Sequence, residues 1–292
     1  MSGFTQAVMD GLLQGGVYAT VAVGLSLAFG VMRMINWSHG ETLMWGVYIA
    51  YFMISALHIN PYISVIIVGL FMFVWGYGLQ KVVLNKLLAR DKGREPTSVL
   101  LFTAGLGMAL SYGAQMLFGS LPLLAQTKYT NMSFMLGDNL IITTKFISFV
   151  IAVLVCLGFG IFLQKTETGR AIRATSQNRH VAKLMGINES KIYCLAFALG
   201  TALVGISAGL LATYYPATPT IGEPFSTRSF IIVVLGGKGS VAGALVGGLI
   251  VGLILSLGAH FLSTTYAEIL TFLVFVLVLI FKPNGLLSKD KG

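Results

Sequence analysis

The chain has 292 residues, of which 56% are hydrophobic and 10% charged, and its mean hydropathy is +0.85. A soluble chain of this size needs far more charge to cover its surface, and uncharged runs of about 18 residues or more are long enough for a helix to cross a bilayer. Such runs exclude a transmembrane barrel, whose segments are short and alternating. The composition therefore places the chain among all-α polytopic membrane proteins. The net charge of +9 does not indicate a nucleic-acid partner, because the 19 Lys and Arg are clustered: five fall between Lys81 and Arg94, six between Lys165 and Lys191, and three at Lys282, Lys289 and Lys291. Basic clusters flanking apolar spans mark cytoplasmic loops.

In chain order, about eight transmembrane helices are expected, near 5–31, 40–57, 61–80, 97–118, 145–163, 192–214, 241–259 and 266–281. No basic residue precedes Arg33. The first span therefore lacks the positive flank of a signal peptide and is expected to be retained, with the N-terminus outside. Between the first two spans, "INWSHGE" (35–41) sets Asn36, Ser38, His39 and Glu41 in an otherwise apolar region. Ser38 and Glu41 have the Ser-x-x-Glu spacing of a capping box and are expected to start the second span. A helix start of this kind carries partial positive charge and favours a passing carboxylate. With Ser38 and Glu41 engaged, Asn36 and His39 are the residues expected to touch solute or the facing element. Trp45 and Tyr48 follow at helical spacing and read as packing residues.

Turn chemistry at His58-Ile59-Asn60-Pro61 and Arg94-Glu95-Pro96 separates the next spans. The polar segment 119–144 is expected on the outer side and is too short for a domain of its own. Together with Tyr214-Tyr215-Pro216 and Glu223-Pro224, it is a candidate docking surface for an extracytoplasmic partner. The sequon at Asn131-Met132-Ser133 reads as chance. Cys156 and Cys194 lie in apolar runs, which suits small core residues better than a disulfide or a metal pair.

The least membrane-like stretch is 165–191, where Ile172, Val181, Leu184, Met185 and Ile187 are set among charged and amide residues. After Gly169 the pattern predicts a short amphipathic helix, a break near Gly186, and a following helix capped by Asn188. An apolar stripe of this kind lies on lipid headgroups or docks into a groove of another protein, and docking is the preferred reading.

With the N-terminus outside and Lys282 inside, the chain must cross an odd number of times after Tyr214. The apolar piece 229–235 covers only about 10 Å, so 227–259 is not one simple span. A re-entrant or broken element near 229–240 is expected, with Gly236-Gly237-Lys238-Gly239-Ser240 at its turn. Irregular backbone at membrane depth needs protein or a water-filled cavity around it. Gly239, Gly243 and Gly247, and likewise Gly248 and Gly252, are spaced by four; small residues at that interval let helices approach closely, within a chain or between subunits.

No cofactor is expected in this chain. The 236–240 segment is not a phosphate loop, since Ile232 stands where its first Gly would be and Gly239 separates Lys238 from Ser240. His39-Gly40-Glu41 lacks zinc-ligand spacing, and neither a His-Glu-x-x-His nor a paired-Cys motif occurs. No nucleophile–base constellation suggests an enzyme. An ion-coupled secondary transporter, which uses embedded ionisable groups, is the weaker alternative, with Glu41 and Glu268 as its candidates.

Three ordered motifs carry a resemblance. "GRAIRATSQNRHVAKLMGIN" (169–188), followed by a Gly- and Ala-rich span, looks like the cytoplasmic coupling loop of the LivH-like permeases of branched-chain amino acid ABC transporters, close relatives of the urea and short-chain amide permeases. "INWSHGE" resembles that family's Met-Ile-Asn-Phe-Ala-His-Gly-Glu signature, and "VVLGGKGSVAGALVGG" (233–248) its Val-Leu-Gly-Gly-x-Gly-Ser block, with Lys238 where an apolar residue is usual. The ending "FKPNGLL" (281–287) also fits, so the likeness covers nearly the whole of 1–292 as a single permease domain.

The resemblance implies an import permease of a bacterial-type inner membrane, paired with a sister LivM-like permease, two cytoplasmic ABC ATPases that bind ATP and Mg, and an extracytoplasmic solute-binding protein. It assigns ATPase coupling to Gly169, Arg170, Arg173, Gln177, Asn178, Ala182, Leu184, Met185, Gly186 and Ile187. Ala182 and Gly186 match the Ala-x-x-x-Gly core of the importer coupling motif, whose downstream Ile-x-Leu-Pro is absent here, as in this family. It assigns the substrate pathway to Asn36, Ser38, His39, Glu41, Gly236, Gly237 and Gly239.

Overall fold

The computed structural model describes residues 2–90, 97–130, 132–137 and 139–287. The turn at Arg94-Glu95-Pro96, the sequon residue Asn131, and Lys289 and Lys291 lie outside these residues. The chain opens with α1 (Ser2–Met32), α2 (His39–Ser55) and α3 (Pro61–Leu79). Asn60 starts α3 by accepting from the Tyr62 amide at 3.0 Å, and Pro61 takes the first helical position, where no amide is needed. A π turn (Gln80–Leu84) joins α3 to α4 (Asn85–Arg90), and α5 (Thr97–Phe118) follows. The expected outer segment contains a small antiparallel hairpin, β1 (Ser133–Leu136) and β2 (Asn139–Ile142), pairing Ser133 with Ile142 and Leu136 with Asn139. Gln6 of α1 holds it by bonding both the amide and the carbonyl of Leu140.

Then come α6 (Thr143–Lys165), α7 (Glu167–Gln177), α8 (Arg179–Leu184), α9 (Glu189–Leu211), α10 (Gly222–Gly236), α11 (Val241–Phe261) and α12 (Thr264–Phe281). Among the described residues, seven helices are long and apolar enough to cross a membrane. The eighth expected span is α2, which at 17 residues is about 25 Å long. The described basic residues of these clusters, 81–90, 165–191 and Lys282, lie at one end of the bundle, where Asn85 bonds Ser190 and Leu286 bonds Leu235; this is the basic end.

Small residues set how the long helices pack. Along α1 and α11, a side chain at Gly252 would strike the Gly11 and Gly15 backbone, one at Gly248 would strike Ala19, and Ser256 Oγ donates to the Ala7 carbonyl at 2.6 Å. Along α3 and α9, Gly205 meets Met72 and Val68, Gly209 meets Val65, and Gly76 meets Thr201. The glycines spaced by four therefore serve intramolecular contacts, Gly243 against Gly236 and Gly247 against Ile232 included.

These two antiparallel pairs are related. The helix sequence α1-α2-α3-α5 repeats as α9-α10-α11-α12 with inverted direction: α11 packs along α1 as α3 packs along α9, α10 lies on α1 as α2 lies on α9, and α12 lies on α10 as α5 lies on α2. The halves meet where Gly24 of α1 touches Gly200 of α9 and where Gly40 of α2 touches Gly222 of α10. Inverted repeats with a broken helix in each half are a recurrent plan of membrane transporters.

The broken element is present, but its break is not at the glycine turn. α10 begins at Gly222 and runs to Gly236, and the irregular part of this crossing is 212–221. The polar residues Glu223, Ser226, Thr227 and Arg228 look like loop in one dimension; they are helical because their polar groups meet Gly40, Tyr18 and a cavity. The turn at 237–240 instead joins α10 to α11 at the basic end. Gly237 and Gly239 have φ of 101° and 82°, and Ser240 caps α11 by accepting from the Gly243 amide at 2.9 Å. The Gly239 amide donates to Ser26 Oγ at 3.0 Å, and the Leu286 amide to the Leu235 carbonyl at 2.8 Å. Lys238 lies over the Phe29 ring, 5.1 Å from its centroid.

Candidate functional site

After Met32 the chain turns back into the bundle. Arg33 adopts φ 53°, and 33–38 climbs alongside α1 until His39 Nε2 lies 3.0 Å from the Val21 carbonyl. Val21 is roughly 16 Å along the axis from the end of α1. A second gauge agrees: Ser38 and Glu41 lie against Gly107, midway along α5. The start of α2 is therefore at mid-depth, and so is the start of α10, because Gly222 packs directly on Gly40. A side chain at either glycine would collide with the other's backbone, and the Gly40 amide donates to Ser226 Oγ at 2.8 Å. Two half-length helices thus point their N-termini at one another at mid-depth, where partial positive charge concentrates.

The polar residues of 35–41 divide their work differently from the sequence expectation. Asn36 Oδ1 accepts from the Ser38 amide (3.2 Å) and hydroxyl (2.8 Å), and the Ser38 carbonyl accepts from Thr42 Oγ1 at 2.8 Å. Asn36, Ser38 and His39 are all buried. The reciprocal capping box does not form. Ser38 is the N-cap, but its backbone (φ −81°, ψ 14°) is not extended and its hydroxyl is committed to Asn36. Glu41 does not reach back; its Oε2 is buried without a hydrogen-bond partner. Asn36 and His39 thus hold the break, and Glu41 has the uncommitted oxygen. Trp45 is a packing residue as expected, donating to the Leu110 carbonyl at 3.0 Å, and the Tyr48 ring stacks on Phe118 with centroids 4.4 Å apart.

Sequence reasoning missed Gly222 and Ser226 and placed Glu223-Pro224 in an outer loop. They form the first turn of α10, and α9 ends at Leu211, short of the expected Tyr214. One signal was available: each half-helix carries Gly-Glu in its first turn, as Gly40-Glu41 and as Gly222-Glu223. The two segments expected on the outer side pair with one another, Leu123 with Ala217 through bonds of 3.0 and 2.8 Å. Gly236, Gly237 and Gly239 sit at the basic end, away from the half-helix junction.

At the basic end, the expected single amphipathic helix is two helices. Thr166 caps α7 by accepting from Gly169 at 3.0 Å, and Asn178 breaks the run and caps α8 by accepting from the His180 and Val181 amides. Gly169 is required because α7 folds tightly back on Phe162 and Leu163. Ile172 and Ala182 face inward, whereas Arg170, Arg173, Gln177 and Asn178 are exposed. Val181, Leu184 and Met185 stand out at 52%, 85% and 78% exposure. The Gly186 amide donates to Lys183 and the Ile187 amide to Ala182, with Gly186 at φ 83°: a left-handed stop that returns Ile187 to the core. Asn188 Oδ1 then accepts from the Lys191 amide at 3.1 Å and starts α9, as expected. Cys156 and Cys194 are free and buried, and no group of three or more His, Cys, Asp or Glu able to hold a metal occurs among the described residues.

Comparison with known proteins bears on this arrangement. Over 297 residues the chain is 30% identical to the high-affinity branched-chain amino acid transport system permease protein BraD of Pseudomonas aeruginosa, covering 99% of this chain and 97% of that protein. It is 29% identical over 301 residues to LivH of Escherichia coli K12, a protein of the same description, covering 99% and 96%. A fructose import permease protein, FruF of Bifidobacterium longum, is 28% identical over 204 residues, 63% of this chain and 54% of that protein. No solved structure matches. The model of the branched-chain amino acid transport system permease component matches residues 7–279, and the chain belongs to that family.

Proposed function

We propose that this chain is one of two membrane subunits of an ATP-driven importer for branched-chain amino acids, with its basic end in the cytoplasm and its N-terminus outside a bacterial-type inner membrane. A sister permease completes the path, two cytoplasmic ATPases hold ATP and Mg, and a solute-binding protein delivers substrate. The chain itself performs no catalysis. The observation that carries this reading is the knuckle made by α7 and α8. Apolar side chains that stand 52–85% exposed in a charged segment at the basic end are held there by two caps and a left-handed stop, and they lead directly into α9. A rigid exposed apolar knob is what a partner's groove accepts.

In this mechanism the ATPases grip Val181, Leu184 and Met185, with Arg170, Arg173, Gln177 and Asn178 at the rim. Closure of the ATPase pair moves α7–α8 and with it α9, which packs on α1, α2 and α3. That motion shifts the junction of α2 and α10. Asn36, Ser38 and His39 keep the α2 break in shape, Glu41 faces the passing ammonium group, and the helix N-termini favour its carboxylate. Gly236, Gly237 and Gly239 let the turn after α10 pack closely on α11 and α1, so that α10 moves with them.

The test is co-purification and ATP hydrolysis by the four-component complex in liposomes. Leu184→Asp should cut ATPase capture about tenfold or more, the effect of losing one buried leucine contact, and Gly186→Trp should uncouple hydrolysis from loaded binding protein. Full capture and full solute-stimulated hydrolysis in both variants would refute the coupling role. Uptake of leucine, with urea and short-chain amides in parallel, decides the substrate class.

A further inference from the structure

A cavity of about 350 Å³ opens between α10, α11 and α12, near the lower end of the size range of small-molecule sites. Its charged lining is one guanidinium and two carboxylates: Arg228, Glu223 and Glu268. Arg228 Nη2 donates to Glu268 Oε1 at 3.0 Å through a single bond, and Nη1 donates to the Tyr18 hydroxyl at 3.0 Å. The guanidinium also lies over the Tyr18 and Phe225 rings, 5.4 and 5.8 Å from their centroids. It is thereby held in place while the Glu268 side chain stays 53% exposed. Glu223 is exposed and has no ion pair among the described residues. Ile231, Leu255 and Phe272 complete the wall with apolar surface.

Charged groups within membrane spans are costly and persist where they meet water, one another or a ligand. Here two carboxylates share one cation, which leaves negative charge for an ammonium group, and the single Arg–Glu bond can be exchanged for a bidentate carboxylate contact. The repeat provides an internal control. The corresponding groove of the first half, between α2 and α5, is occupied by Trp45 bonded to Leu110, with Gly107 against Glu41. The fold does not itself require a charged cavity at this position.

We infer that the α10–α11–α12 cavity is a binding station for a zwitterionic, aliphatic amino acid. Arg228 takes the carboxylate, Glu223 and Glu268 take the ammonium group, and Ile231, Leu255 and Phe272 take the side chain. This rests on the amino-acid import reading above and adds the place where the solute pauses.

The test uses the whole importer, with sister permease, ATPases and binding protein, in proteoliposomes with radiolabelled leucine as probe and subunit co-purification as the check on assembly. Arg228→Gln should lower leucine uptake about tenfold or more, the effect of losing a charge-assisted bond, and Arg228→Lys should restore part of it. Because Arg228 also holds Tyr18, Leu255→Ala and Phe272→Trp serve as a second measurement. Both should change the ratio of leucine to valine uptake, which a purely structural role would leave unmoved. An unmodified complex that takes up none of leucine, isoleucine or valine would overturn the amino-acid reading and the site together. Normal uptake by the unmodified complex, with an unchanged ratio and undiminished uptake in assembled variants, would overturn the site alone.

Discussion

The starts of α2 and α10 carry the same Gly-Glu dipeptide at the same junction, and the two halves treat it differently. At Gly40-Glu41 the neighbours are Asn36, Ser38 and His39, all spent on holding the backbone, with Trp45 filling the groove beside them. At Gly222-Glu223 the neighbours are Arg228 and Glu268, with a cavity between them. One half uses its polar residues to fix a break, and the other uses them to line a space. A duplicated architecture can therefore divide scaffold and site between its copies, and motif conspicuousness in sequence follows the scaffold as readily as the site.

The comparison can be broken first at the contact that both halves share. Gly40→Leu would drive a side chain into the Gly222 backbone; overpacking of this kind costs about 3 kcal/mol or more, and the melting temperature in detergent should fall steeply or the folded protein be lost. Glu41→Gln should act in the opposite direction. It neutralises a half-buried carboxylate whose Oε2 has no partner, and the thermal melt should rise by an amount corresponding to about 1 kcal/mol, while leucine uptake falls. Ser226→Ala removes the single hydroxyl that accepts from Gly40 and should cost about 1 kcal/mol. Gly105→Ala, inside α5 with nothing within 4 Å, should raise the melt by an amount corresponding to about 0.5 kcal/mol through helix propensity alone.

Much of the fold was legible because bilayer crossing imposes length and composition together. The expected spans at 61–80, 97–118 and 145–163 correspond closely to α3, α5 and α6. Local capping was also readable at Asn188, whose amide partner lies three residues downstream, and the turn expected at 58–61 ends in Asn60, which caps α3. The capping box at Ser38 was misleading because spacing alone does not reveal that Asn36 captures the hydroxyl. Depth was not legible. Nothing in the order of residues says that His39 reaches the carbonyl of Val21, a contact made only when 33–38 doubles back along α1. The α10 helix was hidden for a related reason: Glu223, Thr227 and Arg228 lower the hydropathy of its first half, and the groups that accommodate them come from other parts of the chain. The Gly-Glu repeat was present in the sequence, but a dipeptide acquires meaning only when the inverted packing sets its two copies together.

The most direct test of the account is a proximity measurement between the two half-helix starts. With the expected spans, Glu223 lies in an outer loop, and a first span that runs to residue 31 is long enough to put Glu41 as far off as the inner face, a separation of up to the hydrocarbon thickness of about 30 Å. In the structure Gly222 packs on the backbone between Gly40 and Glu41. With the buried Cys156 and Cys194 left as they are, Glu41→Cys and Glu223→Cys should be joined by a short membrane-permeant bis-maleimide, which alkylates both thiols, and be seen as a linked peptide pair by mass spectrometry. Cysteines that instead react separately, each from its own side of the bilayer and never with one another, would contradict the meeting of α2 and α10 at mid-depth.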